Sequence, residues 1–211
     1  TVLGQAATWD CLVSKGCFLT RPDYLAVWGE QSRAHAIERH GFAAEQVVVT
    51  GPPQWDCYGP VHAPGTTATP DRPVAVVAGS TIAYWASEHD LVSRLAREAE
   101  RLGVTIWYRP HPAARGKPIS LSDGARHLVV DTDDALPHYR WLMERAVCVV
   151  TAFSTMIIEA ALCGKPSLVV GFGGSAIGHG GVLEHSHYEH MTAVLRWPGV
   201  YLCRDEYELF A

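Results

Sequence analysis

Charge is scarce in this chain. Asp, Glu, Lys and Arg make up 18% of its 211 residues, and the formal net charge is −5. A nucleic-acid binder is built around a basic surface, so no nucleic-acid partner is expected. No run approaches the about 18 consecutive apolar residues of a membrane-spanning helix, and no signal-peptide pattern is recognisable. There are six cysteines but no CxxC pair. Cys148 and Cys163 sit in apolar or helical contexts typical of buried thiols. A reduced, cytoplasmic protein is therefore expected rather than a disulfide framework. GxGxxG, P-loop and HExxH signatures are absent, and so is any internal repeat. The chain opens at "TVLGQAATWD", without Met, and stops at "RDEYELFA" as a helix begins, so a chain cut at both ends is expected.

Hydrophobic residues supply 48% of the chain, enough for a packed core. Apolar, β-branched runs predict strands at 24–29, 46–51, 73–79, 104–110, 127–132, 146–152, 166–172 and 199–203, with a shorter one in "VLGQAAT". Several lack polar alternation, which fits strands covered on both faces. Helical spacing predicts helices over 30–41, 87–103, 137–146, 154–164 and 187–197. Gly41 and Gly103 suit helix C-caps, and Ser87 suits an N-cap. From residue 73 the order reads β-α-β-β-α-β-α-β-α-β. That alternation predicts an α/β fold, a doubly wound parallel sheet of Rossmann-like type, with ligands met at the carboxyl ends of the strands. The segment between Pro52 and Pro73 is rich in Pro, Gly and Thr and reads as a linker. The expected division is residues 1–60 as the end of one α/β domain, 61–72 as linker and 73–211 as a second domain.

Three strand ends carry candidate chemistry. Gly79, Ser80 and Thr81 follow the first strand of the second domain; glycine allows close approach, and hydroxyls and amides donate to phosphate oxygens. In "IWYRPHPAARG", Arg109 and His111 follow the next strand, stiffened by two prolines. A guanidinium suits phosphate or carboxylate, and a histidine can bind phosphate or move a proton. In "TAFSTMIIEAALCGKP", Ser154 and Thr155 open a helix, whose amino end attracts phosphate. Glu159 follows within the same helix, where it could reach a ribose diol. "DTDD", Asp131 to Asp134, reads as a solvated turn. His187 and His190 stand one helical turn apart and are weighed as metal ligands, but no metal is expected. "GFGGSAIGHGG" reads as a mobile loop that could close over a ligand.

The set Gly79-Ser80, "RPHP", "SxxxxEA" and "GKP" resembles the C-terminal, donor-binding half of GT-B glycosyltransferase-like proteins. Within that group it is similar to bacterial surface-polysaccharide enzymes: CDP-glycerol glycerophosphotransferases, HP-motif sialyl- and Kdo-transferases, and UDP-N-acetylglucosamine 2-epimerases. Residues 1–60 look like the end of the N-terminal GT-B domain. The resemblance implies that His111, Ser154 and Thr155 meet the nucleotide phosphates and Glu159 the ribose. It implies a general base from the N-terminal domain, for which Asp10 is the candidate beside Trp9 and Lys15, with His111 the other catalytic candidate. It implies a transferase that moves a sugar or polyol-phosphate from a CMP-, CDP- or UDP-linked donor to a surface-glycan or polyol acceptor. No cofactor is expected, and the location is cytoplasmic, with peripheral association at the inner face of the membrane part of the same expectation. The sequence departs from the glycerophosphotransferase pattern at Ala152-Phe153-Ser154-Thr155. It departs from the epimerase pattern at Thr155-Met156 and Glu159-Ala160. The rival readings are an epimerase or hydrolase on the same fold, and a non-catalytic nucleotide-binding domain.

Overall fold

The computed structural model describes residues 1–9, 11–14, 18, 20–58, 72–80, 85–114, 126–133, 136–174 and 181–211. Contacts divide the chain into two units, Thr1–Val61 with Tyr188–His190, and His62–His187 with Met191–Ala211. Residues 61–70, within the expected linker, lie outside the described residues.

The first unit is built on three strands, β1 (Leu3–Gln5), β2 (Tyr24–Val27) and β3 (Val47–Val49), with helices α1 (Cys11–Ser14) and α2 (Glu30–His40) between them. The strands pair in parallel in the order β1-β2-β3. Leu25, Val27 and Val47 bury one face of this sheet against Leu12, Ala36 and Phe42. Gly41 ends α2 with φ 66°, the left-handed turn expected of it, and its amide bonds back to the last turn. Part of the segment read as linker is ordered. Pro53–Tyr58 forms a 3₁₀ turn, and Trp55 packs edge-on to Trp28 at 4.7 Å.

The second unit holds β4 (Val74–Ala78), α3 (Glu88–Leu102), β5 (Thr105–Arg109), β6 (Leu128–Val130), α4 (Leu136–Arg145), β7 (Ala146–Thr151), α5 (Met156–Leu162), β8 (Ser167–Val170), α6 (Glu189–Val194), β9 (Val200–Cys203) and α7 (Glu206–Phe210). Glu189 and His190, the first two residues of α6, are grouped with the first unit. All six strands pair in parallel in the order β6-β5-β4-β7-β8-β9. That is the doubly wound arrangement, with the direction of strand succession reversing between β4 and β7.

Every residue of β4 is buried, as a central strand covered on both faces requires. Its side chains alternate. Ala75 and Val77 pack with Leu91, Val92, Leu95 and Ala99 of α3, while Val74, Val76 and Ala78 pack with Trp141, Leu142 and Met143 of α4. Gly103 closes α3 with φ 66°. Ser87 precedes α3, but its side chain makes no capping bond.

Candidate nucleotide site at the strand ends

The pairing register sets the three candidate strand ends side by side. Ala78 pairs with Arg109 on β5 and with Thr151 on β7. Gly79-Ser80, Pro110-His111 and Ala152-Phe153-Ser154 therefore leave the same edge of the sheet, on neighbouring strands about 4.8 Å apart. They flank the point where strand order reverses, the place at which open α/β sheets receive ligands. Thr151 is fully buried between the two central strand ends: its hydroxyl has the Ala78 carbonyl at 3.0 Å and the Ala152 carbonyl at 2.9 Å as acceptors for its one proton.

Gly79 is required by close packing. A Cβ there would collide with Glu88 Oε1 and come within 3.0 Å of the His111 amide nitrogen and 3.1 Å of the Arg109 carbonyl. The amides of this turn are engaged inside the protein. Gly79 donates to the Arg109 carbonyl at 2.8 Å, and Ser80 donates to Glu88 Oε2 at 2.6 Å. The Gly79 and Ser80 amides are thus committed, and the Ser80 hydroxyl is the polar side-chain group of this pair.

Glu88, the first residue of α3, was not singled out by the sequence. In sequence it is an ordinary acid in a helix's first turn. In the structure it is buried, and it also accepts the Tyr108 hydroxyl at 2.5 Å. Burial pushes its carboxyl above the ordinary range, against the opposing bonds from Tyr108 and Ser80. Burial, and then the bond to Glu88, hold the Tyr108 hydroxyl well above its usual value.

His111 is held in one orientation. Its Nδ1 accepts the Ala113 amide at 3.1 Å, and its carbonyl accepts the Ala114 amide at 2.7 Å in the 3₁₀ turn Pro112–Ala114. With Nδ1 accepting, the neutral ring carries its proton on Nε2. The prolines and this turn give the stiffness that the sequence suggests.

Arg109 is placed differently from His111. It is the last residue of β5 and points to the α4 face, opposite Tyr108, because successive strand residues alternate. There its Nη1 donates to Asp131 Oδ2 at 2.5 Å, and its guanidinium lies 4.8 Å from the centre of the Tyr139 ring. Asp131 also accepts from the Asp133 amide at 3.0 Å and pairs with His138 Nε2 at 3.0 Å. "DTDD" is therefore not simply a solvated turn: Asp131 is 8% exposed and closed in by partners. Burial alone would raise its carboxyl, but Asp133, His138 and Arg109 together hold it below the usual range.

At the third strand end, Ser154 Oγ accepts the Met156 amide at 3.3 Å. Thr155 is the N-cap residue but makes no side-chain capping bond. Glu159 is half-buried in α5. Asp10, Lys15, Thr81 and Asp134 lie outside the described residues. Trp9 packs edge-on to His190 at 4.8 Å within the first unit.

His187 and His190 do not share a helix. His187 ends the 3₁₀ turn Val182–His187 and is exposed, whereas His190 is buried in α6. Among the described residues no three His, Cys, Asp or Glu side chains group as metal ligands. The base of the glycine-rich loop is anchored: the Ala86 amide donates to the Gly174 carbonyl at 2.9 Å, and the Val182 amide to Gly173 at 3.2 Å. Residues 175–180 of that loop lie outside the described residues.

No protein-family model and no curated protein matches this chain. Solved structures do match. The UDP-GlcNAc 2-epimerase of Methanocaldococcus jannaschii aligns with a TM-score of 0.55 at 12% identity, over 90% of this chain and 54% of that one. The wall teichoic acid polymerase TagF aligns at 0.55 and 13% identity, over 89% of this chain and 47% of that one. The S. aureus MnaA–UDP co-structure aligns at 0.54 and 14% identity, over 70% of this chain and 42% of that one. The chain thus spans about half the length of these structures. The class that the fold defines is the Rossmann-like, doubly wound parallel α/β protein, and these structures share that fold.

Proposed function

We propose that this chain is the donor-binding part of a GT-B-type glycosyltransferase-like enzyme. It takes a nucleotide-activated sugar or polyol-phosphate and passes that group to a surface-glycan acceptor. In this reading residues 73–211 are the donor domain and 1–60 the end of the N-terminal domain. His111, Ser154 and Thr155 meet the donor phosphates beside Gly79, Ser80 and Thr81, and Glu159 meets the ribose. Arg109, first expected to bind the donor directly, is instead engaged by Asp131 on the α4 face. Asp10 remains the candidate base.

The observation that carries the reading is the alignment of His111, Ser80 and Ser154 at one edge of the sheet, where its strand order reverses. A fixed imidazole and two hydroxyls there suit the charge of a departing nucleotide phosphate, which such sites neutralise by preset donors. Because His111 is ordered before any ligand arrives, little ordering entropy is lost on binding. The similar structures suggest the probes: S. aureus MnaA was solved with UDP and TagF with CDPG.

The test is thermal unfolding with CMP, CDP, UDP and GDP. A nucleotide at a hundred times its dissociation constant should stabilise by about 2.7 kcal/mol. His111→Ala and Ser154→Ala should each abolish that shift. If none of the four raises the midpoint, the reading is wrong. With a bound donor sugar, product analysis then separates transfer from epimerisation: free epimer without transfer excludes the transferase.

A further inference from the structure

Glu88 is a buried titratable group that the proposed chemistry leaves unused. We propose that Glu88 is the positioning residue of the strand-end site, and that it takes up a proton when an anionic nucleotide binds there. The inference rests on the nucleotide reading above.

One carboxylate joins two of the three strand ends. Oε2 accepts the Ser80 amide after β4, and Oε1 accepts the hydroxyl of Tyr108 on β5. The missing Cβ of Gly79 makes room for Oε1, and the His111 amide nitrogen borders the same space. Glu88 thus lies directly behind the turn that would face a phosphate.

The surrounding groups can be named. Tyr108 faces the carboxylate from β5, Ser80 from the β4 turn and the His111 main chain from the β5 turn. On α3 itself, His89 meets the Tyr108 ring at 5.9 Å and Asp90 is exposed in the same turn. Arg94, the nearest arginine in sequence, pairs with Glu206, and Arg109 pairs with Asp131 on the other face of the sheet. Among the described residues, no cation pairs with Glu88.

Both protonation states of Glu88 suit this geometry. The ionised group accepts from both donors. The protonated group accepts the Ser80 amide on one oxygen and donates to Tyr108 from the other, since a hydroxyl both donates and accepts. Protonation therefore leaves the turn in place and removes a negative charge behind it. A second anion arriving at this turn favours the neutral form. Burial already pushes the Glu88 carboxyl upward, in the same direction.

Isothermal titration in buffers of different ionisation enthalpy reads the proton directly. UDP-N-acetylglucosamine is the probe, with CDP-glycerol as the second, because their diphosphate diesters do not titrate between about pH 5 and 8. Wild type should take up a fraction of a proton, and its affinity should rise as pH falls, by at most about tenfold per unit. Glu88→Gln keeps the shape without the charge. It should bind tighter at neutral pH, take up no proton at Glu88's expense and show a flatter pH profile. Glu88→Ala should bind more weakly than Glu88→Gln at every pH. Tyr108→Phe should move the pH of greatest uptake upward, which guards against a folding defect in either Glu88 variant. Equal uptake in wild type and Glu88→Gln would assign the proton to another group, such as His111, and overturn this inference while leaving the nucleotide reading intact. If neither probe binds and none of CMP, CDP, UDP and GDP raises the unfolding midpoint, both readings are overturned.

Discussion

Arg109 ends β5, Asp131 directly follows the neighbouring strand β6, and the two form a largely enclosed ion pair at 2.5 Å, with side chains 13% and 7% exposed. Removing one member leaves the other charge without its partner. Asp131→Asn should therefore destabilise the protein by about 3 kcal/mol at neutral pH. Because the folded-state carboxyl is held below its usual range, its contribution is present above the unfolded value of about 3.9. It is lost as pH falls through the lower folded value. Urea unfolding of wild type and variant should converge in acid; a constant gap across pH would count against the pair.

Glu88 has the opposite sign. Its folded-state carboxyl is raised, so the folded protein holds the extra proton and stability falls as pH rises from the ordinary glutamate value through the folded one. Glu88→Gln should accordingly gain on wild type as pH rises from acid to neutral. Denaturant midpoints across that window are the measurement, and parallel curves would refute the expectation.

Gly79→Ala should cost about 1–3 kcal/mol and abolish nucleotide-induced stabilisation. The added methyl meets the Glu88 carboxylate on one side and the backbone of Arg109 and His111 on the other. The backbone side cannot yield without moving the strand end. A variant of wild-type stability and affinity would contradict the packing described.

Thr151→Val is nearly isosteric but removes the hydroxyl that has the Ala78 and Ala152 carbonyls as acceptors. The loss should be about 1 kcal/mol, read as a lower unfolding midpoint, with the β4 and β7 amides nearest the switch point exchanging faster. Unchanged exchange at those positions would assign the hydroxyl no part in holding the strand ends.

Local sequence was enough for most of the sheet. The run 73–79 has no polar residue, and it lies at the sheet centre with Val74–Ala78 all buried. Gly41 and Gly103 are the helix-ending glycines that their positions predict. Capping was less legible. Ser87 and Thr155 have suitable side chains but form no capping bonds, because the chain's path into the helix decides whether a hydroxyl can turn back. The expectation for "DTDD" was limited by range. Its acids look solvated until Arg109, 22 residues earlier, is placed on the adjacent strand. Glu88 was missed for the same reason: burial of an acid in a helix's first turn depends on a glycine and a tyrosine that only the folded sheet brings to it.

Tyr108 and Arg109 are consecutive letters, yet the pleat sends one to the α3 face with Glu88 and the other to the α4 face with Asp131. The sheet acts between them as a partition. Substitutions that disturb one neighbourhood can be compensated within it and need no reply from the other. In a deep mutational scan, Tyr108 should track Glu88 and Arg109 should track Asp131, so that the strongest dependencies bypass the adjacent residue and join positions about twenty apart.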